Sequence, residues 1–108
     1  MSDTPIFEPE SGTTPEIGAA VTECIESGCR LLLLDEENLP GEVFDLSTRV
    51  LGDAVQRATN YGIQMALVVR DPGRYSDAFQ QFVREASGRG AFGCFRTREE
   101  AVEWLDHG

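Results

Sequence analysis

Apolar residues follow two different spacings along this chain, and segments of the two kinds alternate. In four segments they recur every three or four residues, as on one face of a helix, beginning near Thr14, Ser47, Ser76 and Thr97. Short apolar runs precede these segments and are typical of strands: Ile6-Phe7, Leu31 to Leu34, Ile63 to Val69 and Ala91 to Phe95. The pattern therefore predicts the element order βαβαβαβα.

Strands that alternate with helices favour an α/β fold with a mostly parallel sheet and right-handed crossovers. The run Leu31 to Leu34 is apolar throughout, so it is predicted to be a central strand that is buried on both faces. We expect one α/β domain over residues 14–108. Residues 1–13 are polar and rich in turn formers, which predicts either a flexible arm or a short edge strand.

Polar residues at the helix starts predict how the helices are capped. Ser76 is expected to cap the third helix, and Thr97 with Glu100 forms the pattern of a capping box for the fourth. For the second helix, which is expected to begin near Ser47, either Asp45 or Ser47 is a suitable cap.

The charge of the chain narrows the classes of partner. Its 108 residues include 19 acidic residues and nine basic ones, all arginine, for a formal net charge of −10. Such a charge repels the phosphates of nucleic acids and anionic lipids, and the arginines are scattered, so we expect neither nucleic acid nor a membrane as a partner. No apolar run is long enough to span a membrane, and no secretion signal opens the chain, so a cytoplasmic location is expected.

Several kinds of chemistry are disfavoured by residue types that are rare or missing. The absence of lysine excludes Schiff-base chemistry, and a single histidine argues against most triads and zinc sites. Cys24 and Cys29 do not form a CxxC pair, and Cys94 stands alone in a strand, so Cys24 and Cys94 are better explained as small apolar core residues, while Cys29 is expected to be partly exposed. We therefore expect no metal and no cofactor.

One candidate site lies at the predicted carboxyl edge of the sheet. Asp35, Glu36 and Glu37 follow the central strand, and Asp71 follows the next strand. Ligands of open α/β sheets bind at this edge, where carboxylates suit a hard cation or a general base. The alternative is that these acids are solvated loop residues.

A second candidate site lies at the predicted start of the second helix. Ser47 and Thr48 follow Asp45 and precede Arg49. The N-terminus of a helix stabilises added negative charge, so Ser47 or Thr48 is a candidate phospho-acceptor and Asp45 and Arg49 are candidate partner contacts. The alternative is that Ser47 only caps the helix and Thr48 fills its first turn.

Several separated motifs together resemble an uncharacterised bacterial family of about this length. They are Val43-Phe44-Asp45-Leu46-Ser47-Thr48, Gly52, Gln56, Asn60-Tyr61, the strand Met65 to Val69, and Phe82 with Glu85-Ala86-Ser87-Gly88-Arg89-Gly90. The family pattern is Phe-Asp-Leu-x-Thr, then Asn-Tyr, then Gly-Arg before the last strand. This sequence has Arg49 where the family tends to have glycine. The resemblance implies an α/β fold and no assigned activity.

A more distant resemblance is to STAS domains, the fold of anti-sigma-factor antagonists. It depends on an apolar strand followed by a short loop and by Phe44-Asp45-x-Ser47-Thr48 at the start of a helix. In that family a serine or threonine at this position is phosphorylated by a partner kinase, and the surface around it binds the partner. The resemblance implies the same role for Ser47 or Thr48.

Two functions of different classes follow from these observations. The first is a non-enzymatic, STAS-like regulatory module that binds a protein partner around Asp45, Ser47, Thr48 and Arg49. The alternative is a domain for a small ligand or nucleotide, bound near Asp35, Glu36 and Asp71. A structural homodimer that pairs through edge strands is a third possibility.

Overall fold

The computed structural model describes residues 6–8, 17–39, 44–45, 49–88 and 90–107, and it confirms the predicted α/β fold. Four parallel strands alternate with four helices in the predicted order. The elements are β1 (Ile6–Phe7), α1 (Ile17–Ser27), β2 (Leu31–Asp35), α2 (Val50–Asn60), β3 (Gln64–Val68), α3 (Asp77–Ser87), β4 (Phe92–Phe95) and α4 (Arg98–His107). Short 3₁₀ turns at Glu36–Asn38 and Pro72–Arg74, which the pattern does not predict, follow β2 and β3.

The sheet has the strand order β1-β2-β3-β4, and every neighbouring pair is parallel. Leu31 to Leu34 pair with β3 on one side, while the first two of these leucines pair with β1 on the other. All four leucines are buried, as predicted for a central strand. In the register of β2 and β3, Asp35 lies opposite Val68, so the carboxyl ends of these two strands are level.

The core has two layers, because alternate side chains of each strand point to opposite faces of the sheet. On one face, α1, α2 and α3 pack on Leu32, Leu34, Met65, Leu67 and Phe92. On the other face, α4 is the helix among the described elements that packs on Leu31, Leu33, Ala66 and Val68. Three crossovers of the same hand, each advancing one strand in the same direction, place their helices on one face in this way.

Two of the three predicted helix caps are present. The Ser76 hydroxyl accepts a hydrogen bond from the N–H of Phe79 at 3.2 Å, and the Thr97 hydroxyl accepts one from the N–H of Glu100 at 3.1 Å. The N-cap residue of α2 is Arg49 rather than Asp45 or Ser47, and the helix begins at Val50. Residues 46–48 lie outside the described part of the chain, so the structure gives no account of Ser47 or Thr48.

The strand order has a consequence for ligand binding. In doubly wound sheets the order reverses once, and a crevice for ligands opens at the point of reversal. The order β1-β2-β3-β4 never reverses, so the described sheet has no such crevice.

No helix in the described ranges is both long and apolar enough to cross a bilayer.

Candidate functional site

The level ends of β2 and β3 bring Asp35 and Arg70 together. The Arg70 guanidinium donates two hydrogen bonds to the Asp35 carboxylate, from Nη1 to Oδ1 at 3.0 Å and from Nη2 to Oδ2 at 3.2 Å. Oδ1 also accepts a bond from the N–H of Glu37 at 2.9 Å, which caps the 3₁₀ turn after β2. Both oxygens of Asp35 are therefore occupied by groups of the chain itself.

Glu36 is held from two directions at the same edge. Its Oε1 accepts a hydrogen bond from the backbone N–H of Arg70 at 2.9 Å, and its Oε2 accepts one from the Tyr75 hydroxyl. Only a tenth of the Glu36 side chain is exposed, whereas Glu37 is largely exposed and lies 3.7 Å from Arg70 Nη1. Glu36 thus links the loop after β2 to the loop after β3.

Tyr75 is positioned for this contact by an aromatic cluster. Its ring stacks on Phe44 with the ring centres 4.4 Å apart, and it tilts against Phe79 with the centres 5.1 Å apart. Phe79 is fully buried beneath both rings, and it contacts Phe44 edge to face. Since offset and edge-to-face ring pairs are favourable, the cluster fixes the direction of the Tyr75 hydroxyl toward Glu36.

The ionisation of the edge follows from these contacts. Burial alone would raise the pKa of Asp35, but the hydrogen bonds from Arg70 and from the N–H of Glu37, with the charge of Arg70, lower it overall. Burial, together with the hydrogen bond to the Glu36 carboxylate and the charge of that carboxylate, raises the pKa of Tyr75 to about 12. At neutral pH, Asp35 is an ionised acceptor and Tyr75 is a neutral donor.

The third residue of the predicted ligand edge, Asp71, does not join this network. It is exposed, and its backbone oxygen accepts a hydrogen bond from the N–H of Arg74 at 3.1 Å. Within the described ranges, no group of three or more histidine, cysteine or acidic side chains is arranged to hold a metal ion. The predicted edge residues thus divide into two engaged carboxylates and one separate, exposed carboxylate.

The thiols of two cysteines are held in their protonated form. Cys24 is fully buried and Cys94 is partly buried, and neither is in a disulfide. Burial raises the pKa of both to about 11, with smaller contributions from Cys29 to Cys24 and from Glu36 to Cys94. Because the thiolate is the nucleophile, these two cysteines are poor candidates for covalent chemistry at neutral pH.

At the start of α2, Asp45 and Arg49 are both exposed. Arg49 has φ of 62° and ψ of 5°, and it is the sole described residue other than glycine with a positive φ. This left-handed conformation costs an L-residue about 1–2 kcal/mol and costs glycine little. Glycine would therefore fit the backbone at this position better than arginine does.

A family model matches residues 11–105, which is most of the chain. The chain belongs to DUF4180, a domain of unknown function. Among curated proteins no match was found, and no solved structure matches the chain either. The resemblance to an uncharacterised family is therefore confirmed, while the likeness to STAS domains remains a prediction.

In this DUF4180 chain, one groove gathers residues from separate segments of the sequence. The groove lies between α2 and α3 above Phe92, and its volume is about 240 Å³. Its lining includes Gly52, Gln56, Phe82, Glu85 and Ala86. Gln56 donates to the side chain of Asn60 at 3.1 Å, and Glu85 accepts from Gln81 at 3.2 Å, so both are already hydrogen bonded.

Sequence reasoning missed Arg70 and Tyr75, the two DUF4180 residues that engage the acidic edge. For Arg70 the signal was present, because a basic residue follows one strand where an acidic residue ends its predicted neighbour. For Tyr75 it was weaker, since the 3₁₀ turn at Pro72–Arg74 that carries the chain toward Glu36 leaves no periodic pattern.

Proposed function

We propose that this DUF4180 protein is a non-enzymatic regulatory module of the STAS kind, which binds a protein partner through the surface at the start of α2. The observation that supports it best is the engagement of the acidic edge. Asp35 is bound by Arg70, and Glu36 by the Arg70 N–H and by Tyr75. Carboxylates that are satisfied within the fold are poor bases and poor metal ligands, which disfavours catalysis at this edge.

The shape of the domain supports the same class of function. The sheet order never reverses, so the crevice in which α/β enzymes bind nucleotides is missing from the described sheet. The grooves recorded among the described residues have volumes of about 240 to 340 Å³ and are open to solvent. Typical small-molecule sites enclose roughly 300–1,000 Å³, and they cover most of the ligand.

The surface at α2 has the properties that a regulated contact needs. Arg49 is exposed and stands in a costly backbone conformation, which is a feature found preferentially at functional positions. A phosphate on Ser47 or Thr48, which precede Arg49 in the sequence, would add about two negative charges to this segment of the chain. Phosphorylation would therefore change the charge of the surface that contacts the partner.

Site-specific photo-cross-linking in the native host tests the contact. A photoreactive amino acid at Arg49 or Asp45 is expected to give one discrete protein adduct, because both residues lie in the proposed contact. The matched control is the same amino acid at Arg57, an exposed arginine further along α2, which should give none. Equal labelling at all three positions, or none at Arg49 and Asp45, would refute the proposed contact.

Intact mass measurement on protein purified from the native host tests the regulatory part. We expect a phosphorylated fraction that disappears in the Ser47→Ala, Thr48→Ala double variant.

Thermal shift against nucleotides and metabolites tests the alternative function. A ligand that raises the melting temperature of the wild type but not of Asp71→Asn would favour a small-ligand site at the carboxyl edge.

A further inference from the structure

The outer edge of β4 is open to further strand pairing. β4 is the terminal strand beyond β3, and no strand in the described ranges pairs with its other side. The N–H groups of Met65 and Val69 donate to the carbonyl groups of Ala91 and Phe95, both at 2.8 Å. Backbone groups alternate in direction along a strand, so those of Phe92 and Cys94 point to the outer side.

A groove runs beside this edge, between β4 and α3. Its volume is about 260 Å³, and it is open to solvent. Val83 and Cys94 provide accessible apolar lining over the buried Phe79, whereas Arg84 and Arg96 provide charged lining. An extended peptide beside β4 would therefore meet both backbone hydrogen-bonding groups and a partly apolar surface.

The two arginines of this groove are not among the described arginines that form ion pairs. Arg70 and Arg98 are paired with carboxylates, at 3.0 Å to Asp35 and at 2.7 Å to Glu8. Arg84 and Arg96 are exposed, and neither forms an ion pair with any described residue. The groove is thus flanked by two exposed guanidinium groups on a protein whose net charge is −10.

The Glu36 carboxylate contributes to the raised pKa of the Cys94 thiol, but it forms no ion pair with Arg84 or Arg96. Its oxygens accept from the Arg70 N–H and from Tyr75. On α3, the Glu85 carboxylate is hydrogen bonded to Gln81. Arg84 and Arg96 are the charged residues that line this groove, while Asp77 and Glu85 line the adjoining groove on the other side of Arg84.

We propose that the outer edge of β4 and this groove bind an extended acidic segment of a partner protein by strand addition. Backbone hydrogen bonds to Phe92 and Cys94 provide affinity, and the two guanidinium groups select carboxylates. This surface is separate from the start of α2, so the inference goes beyond the proposed function. A second copy is a poorer occupant, because pairing of β4 with itself would bring the same arginines together.

Backbone NMR titration of the full chain tests the inference. The probe is a short soluble peptide in which valine and glutamate alternate, and the matched probe has lysine in place of glutamate. The acidic peptide should shift the amide signals of residues 92–96 and 79–84, and the basic peptide should not. The Arg84→Glu, Arg96→Glu double variant should bind the acidic peptide at least about tenfold more weakly.

Two further variants separate the possible causes of a lost signal. Arg30→Glu, Arg57→Glu makes the same change in net charge away from the groove, and it should leave binding unchanged. Cys94→Pro removes an outward N–H while leaving the bonds to β3 in place, so it should abolish binding in a folded chain. Circular dichroism establishes the fold of each variant.

Some outcomes would overturn the inference. They are shifts outside β4 and α3, equal binding of both peptides, undiminished binding by the arginine double variant, and a dimer that the same variant dissociates. These results are independent of cross-linking at Arg49, so failure of this inference and failure of the proposed function can be told apart.

Discussion

Asp35 and Arg70 join the ends of two neighbouring strands through a pair of parallel hydrogen bonds, at 3.0 and 3.2 Å. Asp35 is the last residue of β2, and Arg70 stands two residues after the end of β3. The pair fixes the two loops that leave the sheet, because Glu36 follows Asp35 directly and accepts from the Arg70 N–H. The side chain and the backbone N–H of Arg70 thus hold two neighbouring carboxylates, those of Asp35 and Glu36.

The stability contributed by Asp35 should depend on pH. The folded-state pKa of Asp35 is lowered, so its contribution is complete above the unfolded-state pKa of about 3.9 and is lost as the pH falls through the folded value. We expect Asp35→Asn to be less stable than the wild type at pH 7, with a difference that narrows below about pH 4. Urea midpoints across this pH range measure it.

Asp71→Asn is the matched control for that experiment, because Asp71 is exposed and lies outside the ion-paired network. Its stability should follow that of the wild type at every pH. A constant difference between Asp35→Asn and the wild type down to pH 2 would contradict the role assigned to ionised Asp35.

The Tyr75 hydroxyl should contribute measurably to stability. Tyr75→Phe keeps the ring contacts with Phe44 and Phe79 but removes the hydroxyl that donates to Glu36. The Glu36 carboxylate, which is mostly buried, then loses one hydrogen-bond partner. The expected cost is about 1–2 kcal/mol in the free energy of unfolding. Tyr61→Phe is the control, since 60% of Tyr61 is exposed, and its effect should lie within about 0.5 kcal/mol. Equal effects of the two substitutions would show that the hydrogen bond to Glu36 contributes nothing.

Two substitutions of Arg49 should change stability in opposite directions. Glycine adopts φ of 62° easily, so Arg49→Gly is expected to raise the free energy of unfolding by about 0.5 kcal/mol. Valine is β-branched and adopts that conformation poorly, so Arg49→Val should lower it by about 1 kcal/mol. Both variants lack the guanidinium, so a loss of partner binding common to both assigns that loss to the side chain. Equal stabilities would be incompatible with the left-handed backbone.

A larger residue in place of Gly93 should lower the stability of the fold. A Cβ atom on Gly93 would lie 2.7 Å from two ring carbons of Phe95 and 3.5 Å from the indole of Trp104. Gly93→Ala is therefore expected to lower the free energy of unfolding by about 1–3 kcal/mol. The same substitution in a Phe95→Ala background should cost much less, because the clashing ring is gone.

Gly52→Ala provides a contrast, because the added Cβ would be 4.0 Å from the Phe82 ring, which is ordinary contact. Since Gly52 is within α2, the substitution should stabilise the protein by up to about 1 kcal/mol. A loss of stability at Gly52 similar to that at Gly93 would mean that the packing described for these two glycines is incorrect.

The α/β order was predictable because each element has its own local signal. The four leucines of β2 and the caps at Ser76 and Thr97 depend on residues close together in the chain, and all are present as predicted. The start of α2 was not predictable in this way. An arginine in a left-handed conformation has no sequence signal, and capping preferences favour Asp45 and Ser47 over Arg49.

The acidic edge was predictable in its position but not in its chemistry. Asp35 and Glu36 lie at the carboxyl end of β2, as expected. Their engagement by Arg70 and Tyr75 depends on partners 34 to 39 residues away along the chain. Only the register between β2 and β3 brings those partners close, and the spacing of residues within one segment carries no information about register.

The packing of α4 on one face of the sheet has a consequence for folding during translation. Three helices protect one face, and each is synthesised between two of the strands on which it packs. Among the described elements, the helix that packs on the face containing Leu33 and Val68 is α4, which is synthesised after β1 to β4. During translation the nascent chain therefore carries an exposed apolar surface, and pausing of the ribosome before α4 would favour capture by chaperones or aggregation.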